Sequence, residues 1–292
     1  MYNINEKRRE DYNMHGDLHI HTRLSDGSLL PHEVLRLAKR SHIDYIAITN
    51  HDCITPIQDI KPLADALLIS IIDGIEISAM DKKRNRRVHI LCYMPKTYEY
   101  IGKLCSQTIS NRAKVGLEMA KKVEKLYPIS VEEVQEIASL SCCIYKQHIA
   151  KALMNVGLTT QIFGDLYNEL FSFEKGSCII NCESPDVYDV LDIIEKSKGI
   201  CVMAHPYTYN SIDLLDELIA DNRLHGVEVW SSKSTNEQEE YLLSLSNQHG
   251  LIATGGSDFH GAYGSRVSPI GAKTTPIESI KELYDLKQKL HS

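Results

Sequence analysis

Seven short apolar runs punctuate the chain: Met14–Ile20, Tyr45–Thr49, Leu67–Ile77, Val88–Tyr93, Ile200–Ala204, Gly226–Trp230 and Leu251–Thr254. Several close on a Gly, Asp or His cluster, the punctuation expected where a strand meets a loop. Helical patterns lie between them. Pro31 opens one, with Val34, Leu35 and Ala38 on one face, and Ser184-Pro185-Asp186 caps another that turns Val187, Val190, Leu191 and Ile194 inward. A third follows Ser211, and a fourth runs from about Thr235 to Gln248. Strand–helix alternation of this kind predicts an α/β fold with a largely parallel sheet, and seven units suffice to close or nearly close a barrel.

The alternation breaks between the fourth and fifth runs. From about Lys96 to Lys175 the pattern is helical, with Val115, Met119, Val123 and Leu126 in register and Ser130-Val131-Glu132-Glu133 as a capping box. Some eighty residues without a convincing strand predict an inserted helical subdomain. The expected division is a barrel of residues 12–96 and 176–292, with an insert of 97–175 packed on it and covering the active site.

At 292 residues the chain accommodates one large domain or two smaller ones. It is 43% hydrophobic and 24% charged, a globular balance. Lys plus Arg number 32 against 39 Asp plus Glu, a net charge of −7, which argues against a broad grip on duplex DNA yet leaves room for a small basic pocket. No apolar run is long enough to span a bilayer, and the first residues, Glu6 to Asp11 among them, lack the apolar centre of a signal peptide. A cytoplasmic protein with no membrane partner is expected. The eight cysteines show no paired CxxC spacing, so neither a structural zinc site nor disulfides are expected.

The thirteen histidines stand out. In Asp17-Leu18-His19-Ile20-His21-Thr22, strand alternation turns His19 and His21 to one side with Asp17. The pair alone fits either a half-exposed strand or the start of a metal site. Repetition at other strand ends favours metal: His51 after the second run, Glu76 inside an apolar segment, His89 opening the fourth, His205 after the fifth, and Asp258 with His260 after the last. A charged Glu76 among apolar neighbours needs a partner. In a barrel, groups at the carboxyl ends of parallel strands converge on one cavity. Six histidines and two carboxylates then suit two or more ions. Asp26 sits in an Asp-Gly turn, where it reads first as turn chemistry, and Glu228 reads either as an acceptor behind a ligand or as a strand end. His15, His32, His42, His225, His249 and His291 are expected to be structural or on the surface.

Taken in order, DLHIHT, the SDG turn, ITNHD, GIEIS, the His89 strand, AHP and GSDFH resemble the PHP (polymerase and histidinol phosphatase) metal-dependent phosphoesterases. The helical insert, with Ile144 to Ala150 and then Gly176, is similar to a subgroup acting on nucleotides as 3′,5′-nucleoside bisphosphate phosphatases and 5′-3′ oligoribonucleases. The resemblance implies a distorted seven-stranded (β/α)7 barrel with a trinuclear centre. His19, His21, Glu76 and Asp258 would hold one ion, Glu76 would bridge to a second held by His89 and His205, and Asp26, His51 and His260 would hold a third. It thereby assigns Asp26 to ligation. Manganese is the expected ion, two or three per chain, with iron or zinc as alternatives. A metal-bound hydroxide held by Glu76, His205 and Asp258 would attack the phosphate.

Lys146, Lys175, Arg112 and His148 are the expected substrate contacts, with a small phosphorylated nucleotide or short single-stranded RNA as partner. The chain departs from the family at Asn50, where Asp is usual, and at Lys146, where the subgroup has Arg. The first change removes a charge behind the ligands, and the second replaces a bidentate fork with a point charge. Two alternatives remain: a histidinol-phosphate phosphatase, against which the insert argues, and a non-catalytic metal-binding module, against which the filled ligand positions argue.

Overall fold

A computed structural model describes residues 14–292 apart from Glu174. The segment from Glu6 to Asp11, on which the leader expectation rests, lies outside the described residues, as do the first two residues of the expected barrel range.

The fold is mixed α/β, and its strands form two sheets rather than one closed wall. The first sheet is ordered β3-β2-β1-β9, from Ser70–Ile72, Tyr45–Ile48, His15–Ile20 and Thr275–Pro276. The second is ordered β4-β5-β6-β7-β8, from Gly74–Asp81, Arg86–Tyr93, Ile200–Met203, Gly226–Ser231 and Ile252–Gly256. Isolated parallel bridges, Ile20 to Phe259 and His51 to Glu76, join the sheets along their seams. The predicted seven parallel strands therefore need correction. The Leu67–Ile77 run is divided: Leu67 ends a helix, β3 joins the first sheet, and β4 joins the second. In addition, β5 is antiparallel to β4 and β6, and β9 is antiparallel to β1.

The helices that pack around the sheets are α1 (Pro31–Arg40), α2 (Ile57–Leu67), α7 (Val187–Lys196), α8 (Ile212–Ala220), α9 (Asn236–His249) and α10 (Ile277–His291). Of these, α1, α7, α8 and α9 are expected from the sequence, whereas α2 and α10 are not. Asp186 caps α7 by accepting the Tyr188 N–H, and Thr235 caps α9 through Gln238. The α1 and α2 helices bury Val34, Leu35, Ile60 and Ala64 against the outer side chains of the first sheet, and α7 and α8 do the same for the second. A further core joins Leu18, Ala47 and Ile72 of the first sheet to Leu91, Tyr93, Val202 and Ile252 of the second. There the Tyr93 hydroxyl donates to the Leu18 carbonyl at 2.8 Å and pins the floor beneath the histidines.

The reversal of β5 dictates the shape of the insert. Because β5 runs downward, the chain leaves it at the floor, where the Lys96 N–H bonds the Ser197 carbonyl. It climbs back on a single 26-residue helix, α3 (Glu99–Glu124), about 39 Å long at 1.5 Å per residue. The lower part of α3 packs Ile101 and Cys105 into the core of the second sheet. Its upper part packs Met119, Ala120 and Val123 into a separate core with α4 (Val131–Ile137), α5 (Lys146–Asn155) and α6 (Asp165–Phe171). The predicted Ser130–Glu133 capping box opens α4.

Candidate metal centre

Glu76 is the hub. It is the third residue of β4, fully buried, and bridged to His51 across the seam. Its Oε2 lies 3.2 Å from His19 Nε2, 3.1 Å from His21 Nε2 and 3.1 Å from His51 Nδ1. Its Oε1 lies 2.7 Å from His89 Nδ1 and 3.1 Å from His205 Nε2. Five imidazoles thus meet one carboxylate. Asp258 Oδ1 adds contacts of 3.2 Å to His21 Nε2 and 3.6 Å to His19 Nε2. On the outer side, Asp26 Oδ1 lies 3.6 Å from His21 Nδ1, and its Oδ2 lies 3.3 Å from His260 Nε2 and 3.9 Å from His51 Nε2. All nine expected ligands come together at one mouth.

Hydrogen bonding does not account for this packing. His19 Nε2, both nitrogens of His21, His51 Nδ1 and Glu76 Oε2 are buried without a hydrogen-bond partner. Unpaired buried polar atoms are costly, and their convergence needs a common partner. Donor atoms on one ion with bonds near 2.1 Å stand about 3.0–3.4 Å apart, the spacing found around Glu76. Groups whose donor atoms all lie within 4.8 Å of one another are His21–Asp26–His51–His260, His19–His21–Glu76, His19–His205–Asp258 and His51–Glu76–His89. The residues therefore fit divalent ions held by nitrogen and oxygen. His51 stands between two of these groups, so it reaches both Glu76 and the Asp26 side.

Electrostatics point the same way. Burial disfavours charge on Glu76, Asp258 and Asp26, but the histidines, joined by Lys233 at Asp258, outweigh it and hold all three carboxyls well below the usual range. Burial also opposes charge on His21, yet Asp258, Glu76 and Asp26 raise it to about 9. The nearest carboxylates raise His19 likewise, whereas burial wins at His51 and lowers it. An ion replaces the protons that such a cluster otherwise shares.

The supports are local. Glu228 Oε1 takes the Nδ1 side of His19 at 2.8 Å while its Oε2 accepts the His205 N–H at 2.8 Å, so it is the acceptor behind the ligands rather than a plain strand end. Asp17 accepts the Ser257 and Gly271 N–H groups at 2.9 Å, locking the end of β8 to β1. Gly256 is required there, since a Cβ would stand 2.4 Å from the His19 Cβ. His205 and Asp258 adopt left-handed φ values of 24° and 51°, strained for non-glycine residues and common where a ligand must be aimed. Asn50 uses both ends of its amide: Oδ1 accepts from Thr22 N and Ser25 Oγ at 2.8 Å, and Nδ2 donates to Thr55 at 3.0 Å. The last bond is one that an Asp carboxylate could not donate.

Two cavities flank the centre. One, of ≈ 260 Å³, lies under the insert and combines Arg87, Arg112 and Lys146 with an apolar and aromatic wall that includes Ile144, Tyr145 and Tyr167. Burial, with Arg87 and Arg112 close by, lowers Lys146 to about 8. Arg112 is committed, bonding Asp52 at 2.9 Å, Ser78 Oγ at 3.0 Å and the Tyr145 hydroxyl at 3.1 Å. Two expected substrate contacts are placed elsewhere. His148 is buried, its Nδ1 accepting the Tyr145 N–H at 3.1 Å to cap α5, and Lys175 is exposed; neither lines this cavity. The other cavity, of ≈ 210 Å³, faces the loops after β7 and β8.

Three polar residues beyond the expected set belong to the site. Gln147 Nε2 donates to Asp26 at 3.0 Å from the insert, Arg87 lines the cavity below Phe173, and Lys233 pairs with Asp258 Oδ2. Lys233 lies two residues past the end of β7, so the strand-end reasoning that found His205 also reaches it.

A buried cage of imidazoles and carboxylates at strand ends, opening on cationic cavities, defines a metal-dependent hydrolytic centre. The chain belongs to the PHP domain family, whose model matches residues 17–177, more than half of it. It is 33% identical over 257 residues to a phosphoribosyl 1,2-cyclic phosphate 1,2-diphosphodiesterase of Eggerthella lenta, covering 87% of this chain and 97% of that one. It is 28% identical to the 5′-3′ exoribonuclease Rnm of Escherichia coli, covering 84% of each chain. It is 27% identical to a 3′,5′-nucleoside bisphosphate phosphatase of Chromobacterium violaceum, covering 84% of this chain and 86% of that one. A crystal structure from Bifidobacterium adolescentis, described as a metal-dependent phosphoesterase, superposes with a TM-score of 0.83 at 26% identity, covering 94% of this chain and 96% of that one.

Proposed function

We propose that the protein is a metal-dependent phosphoesterase that hydrolyses phosphate esters of nucleotides, either 3′,5′-nucleoside bisphosphates or short RNA ends. The observation that carries this reading is the ring of unpartnered imidazole nitrogens within 3.1–3.2 Å of Glu76 Oε2, set beside a cavity with three cationic side chains. Divalent ions at such a centre lower the pKa of bound water and neutralise phosphoryl oxygens.

The ligand assignment follows the resemblance, with His19, His21, Asp26, His51, Glu76, His89, His205, Asp258 and His260 as the metal set. Glu76 would serve more than one ion, a reading supported by its two oxygens addressing different histidines. Glu76, His205 and Asp258 would hold the ions that supply the attacking hydroxide. Lys146 and Arg87 receive a phosphate under the insert, while Arg112, tied to Asp52, braces the His51 turn and the Tyr145 hydroxyl. The Tyr145 and Tyr167 rings offer stacking surface for a base. Manganese is the expected ion. The two sheets serve as the halves of a distorted barrel, and the setting is cytoplasmic, in keeping with eight free cysteines. Among the described residues no helix is long and apolar enough to cross a membrane.

A second reading, hydrolysis of a cyclic phosphodiester of phosphoribose, is favoured by the 33% identity to the Eggerthella relative. One panel separates the readings: adenosine 3′,5′-bisphosphate, RNA dinucleotides and a ribose 1,2-cyclic phosphate, each with and without manganese. Turnover lost in His19→Ala yet undiminished by chelation overturns the metal mechanism.

A further inference from the structure

The insert-side cavity has an evident use in the proposed hydrolysis, but the cavity on the β7–β8 side does not. A monoester needs the centre and one pocket beside it. Here the second cavity is lined by Ser232 and Lys233 after β7 and by Gly264, Ser265 and Arg266 after β8, in addition to the ligand residues. The Lys233 ammonium spends one donor on Asp258 Oδ2, and among the described residues its Nζ forms no second ion pair. Arg266 is exposed, and among the described residues no carboxylate pairs with it. Ser232 and Ser268 both donate to the Ser257 carbonyl, at 3.0 and 2.5 Å, which ties the two loops together and to the residue before Asp258. The cavity therefore has a braced wall and two cations, one seated against the centre and one at the rim. Among the described residues its only carboxylates are Asp26, Glu76 and Asp258, which belong to the expected ligand set.

We propose that this cavity is a second anion subsite, in which Lys233 and Arg266 hold a phosphate other than the one being hydrolysed. The substrate it fits is a nucleotide chain lying across the centre, with one part under the insert and the next phosphate on the β7–β8 loops. Arg266 is a specificity-determining residue for chains over single nucleotides. Lys233 has a double part, orienting Asp258 and meeting the incoming phosphate. This assignment rests on the phosphoesterase reading.

The test compares the wild type with Arg266→Gln and Arg266→Lys, using a 5′-phosphorylated RNA trinucleotide and adenosine 3′,5′-bisphosphate. The ratio of the two kcat/KM values falls about tenfold in favour of the bisphosphate in Arg266→Gln, mainly through KM, and Arg266→Lys recovers most of it. The slope of log KM against log salt for the trinucleotide shrinks by about 0.7, the single-strand value for one lost contact. An unchanged ratio overturns the subsite. If the wild type hydrolyses neither substrate, the phosphoesterase reading fails, and binding decides the subsite separately. A fluorescent trinucleotide with methylenephosphonate links, which keep the charge and resist hydrolysis, then binds Arg266→Gln about tenfold more weakly in manganese, or equally well if the subsite does not exist.

Discussion

Glu228 Oε1 stands 2.8 Å from His19 Nδ1 and so directs the opposite nitrogen of that ring toward Glu76. The same carboxylate accepts the backbone N–H of His205 at 2.8 Å, which fixes a second ligand through its strained main chain. A carboxylate behind a ligating imidazole sets its tautomer and raises its basicity. Glu228→Gln keeps the shape and removes the charge. It is expected to weaken metal affinity about 10–100-fold, with activity returning as manganese is raised in a metal titration. Unaltered metal affinity would remove Glu228 from the support of the site.

The unpartnered nitrogens around Glu76 make metal removal a stability experiment. Ions that bind only the folded chain stabilise it by about 2.7 kcal/mol at a hundred times Kd. Chelation should lower Tm by several degrees, and readdition of manganese should restore it. Identical melting curves in the two conditions would contradict a metal cage.

Lys146, lowered to about 8 by burial and the nearby Arg87 and Arg112, is cationic below that value and neutral above it. Its attraction for phosphate is present at lower pH and lost as pH rises. KM for a bisphosphate should accordingly be lowest below pH 8 and climb above it, while Lys146→Arg flattens the climb because guanidinium stays charged. A pH profile of KM that is the same in both proteins would place Lys146 outside the substrate contact.

His148 yields the opposite kind of pH effect. Burial lowers it from 6.5 to about 4, so between those values the unfolded chain binds more protons than the folded one. Its stabilising neutral form is intact above pH 6.5, and stability falls as pH drops toward 4, by roughly 3 kcal/mol at the acid limit. His148→Gln retains an acceptor for the Tyr145 N–H and should flatten this part of the profile, measured by urea unfolding at pH 7.5, 6, 5 and 4.5. Parallel profiles would show that another group titrates.

Strand alternation located His19 and His21, and strand ends located His51, His205, Asp258 and His260, because both rules act within a few residues. Direction was not legible. Apolar periodicity is the same for a strand running up or down, so the reversal of β5 could not be read from Val88–Tyr93. The division of Leu67–Ile77 hangs on Asp73, whose carbonyl accepts the Met94 N–H, a contact made across twenty residues. The α2 helix was hidden by Pro62 inside it, and two-residue β9 is too short to leave a pattern. Lys233 was within reach of the strand-end rule, but Arg266 sits ten residues past β8 in a polar loop where nothing local separates a ligand-facing cation from a solvated one. Their meaning comes from the ends of two neighbouring strands brought side by side.

The long α3 helix has a mechanical consequence. One uninterrupted rod is embedded at its base in the packing of the second sheet and at its top in the packing of the insert. Tilting the insert away from the centre would require bending that rod or prising Ile101 and Cys105 from their seat. That anchoring at both ends opposes a hinge at the base of the insert. On the proposed reading, any widening of the mouth would then fall to the loops after β7 and β8 rather than to the insert.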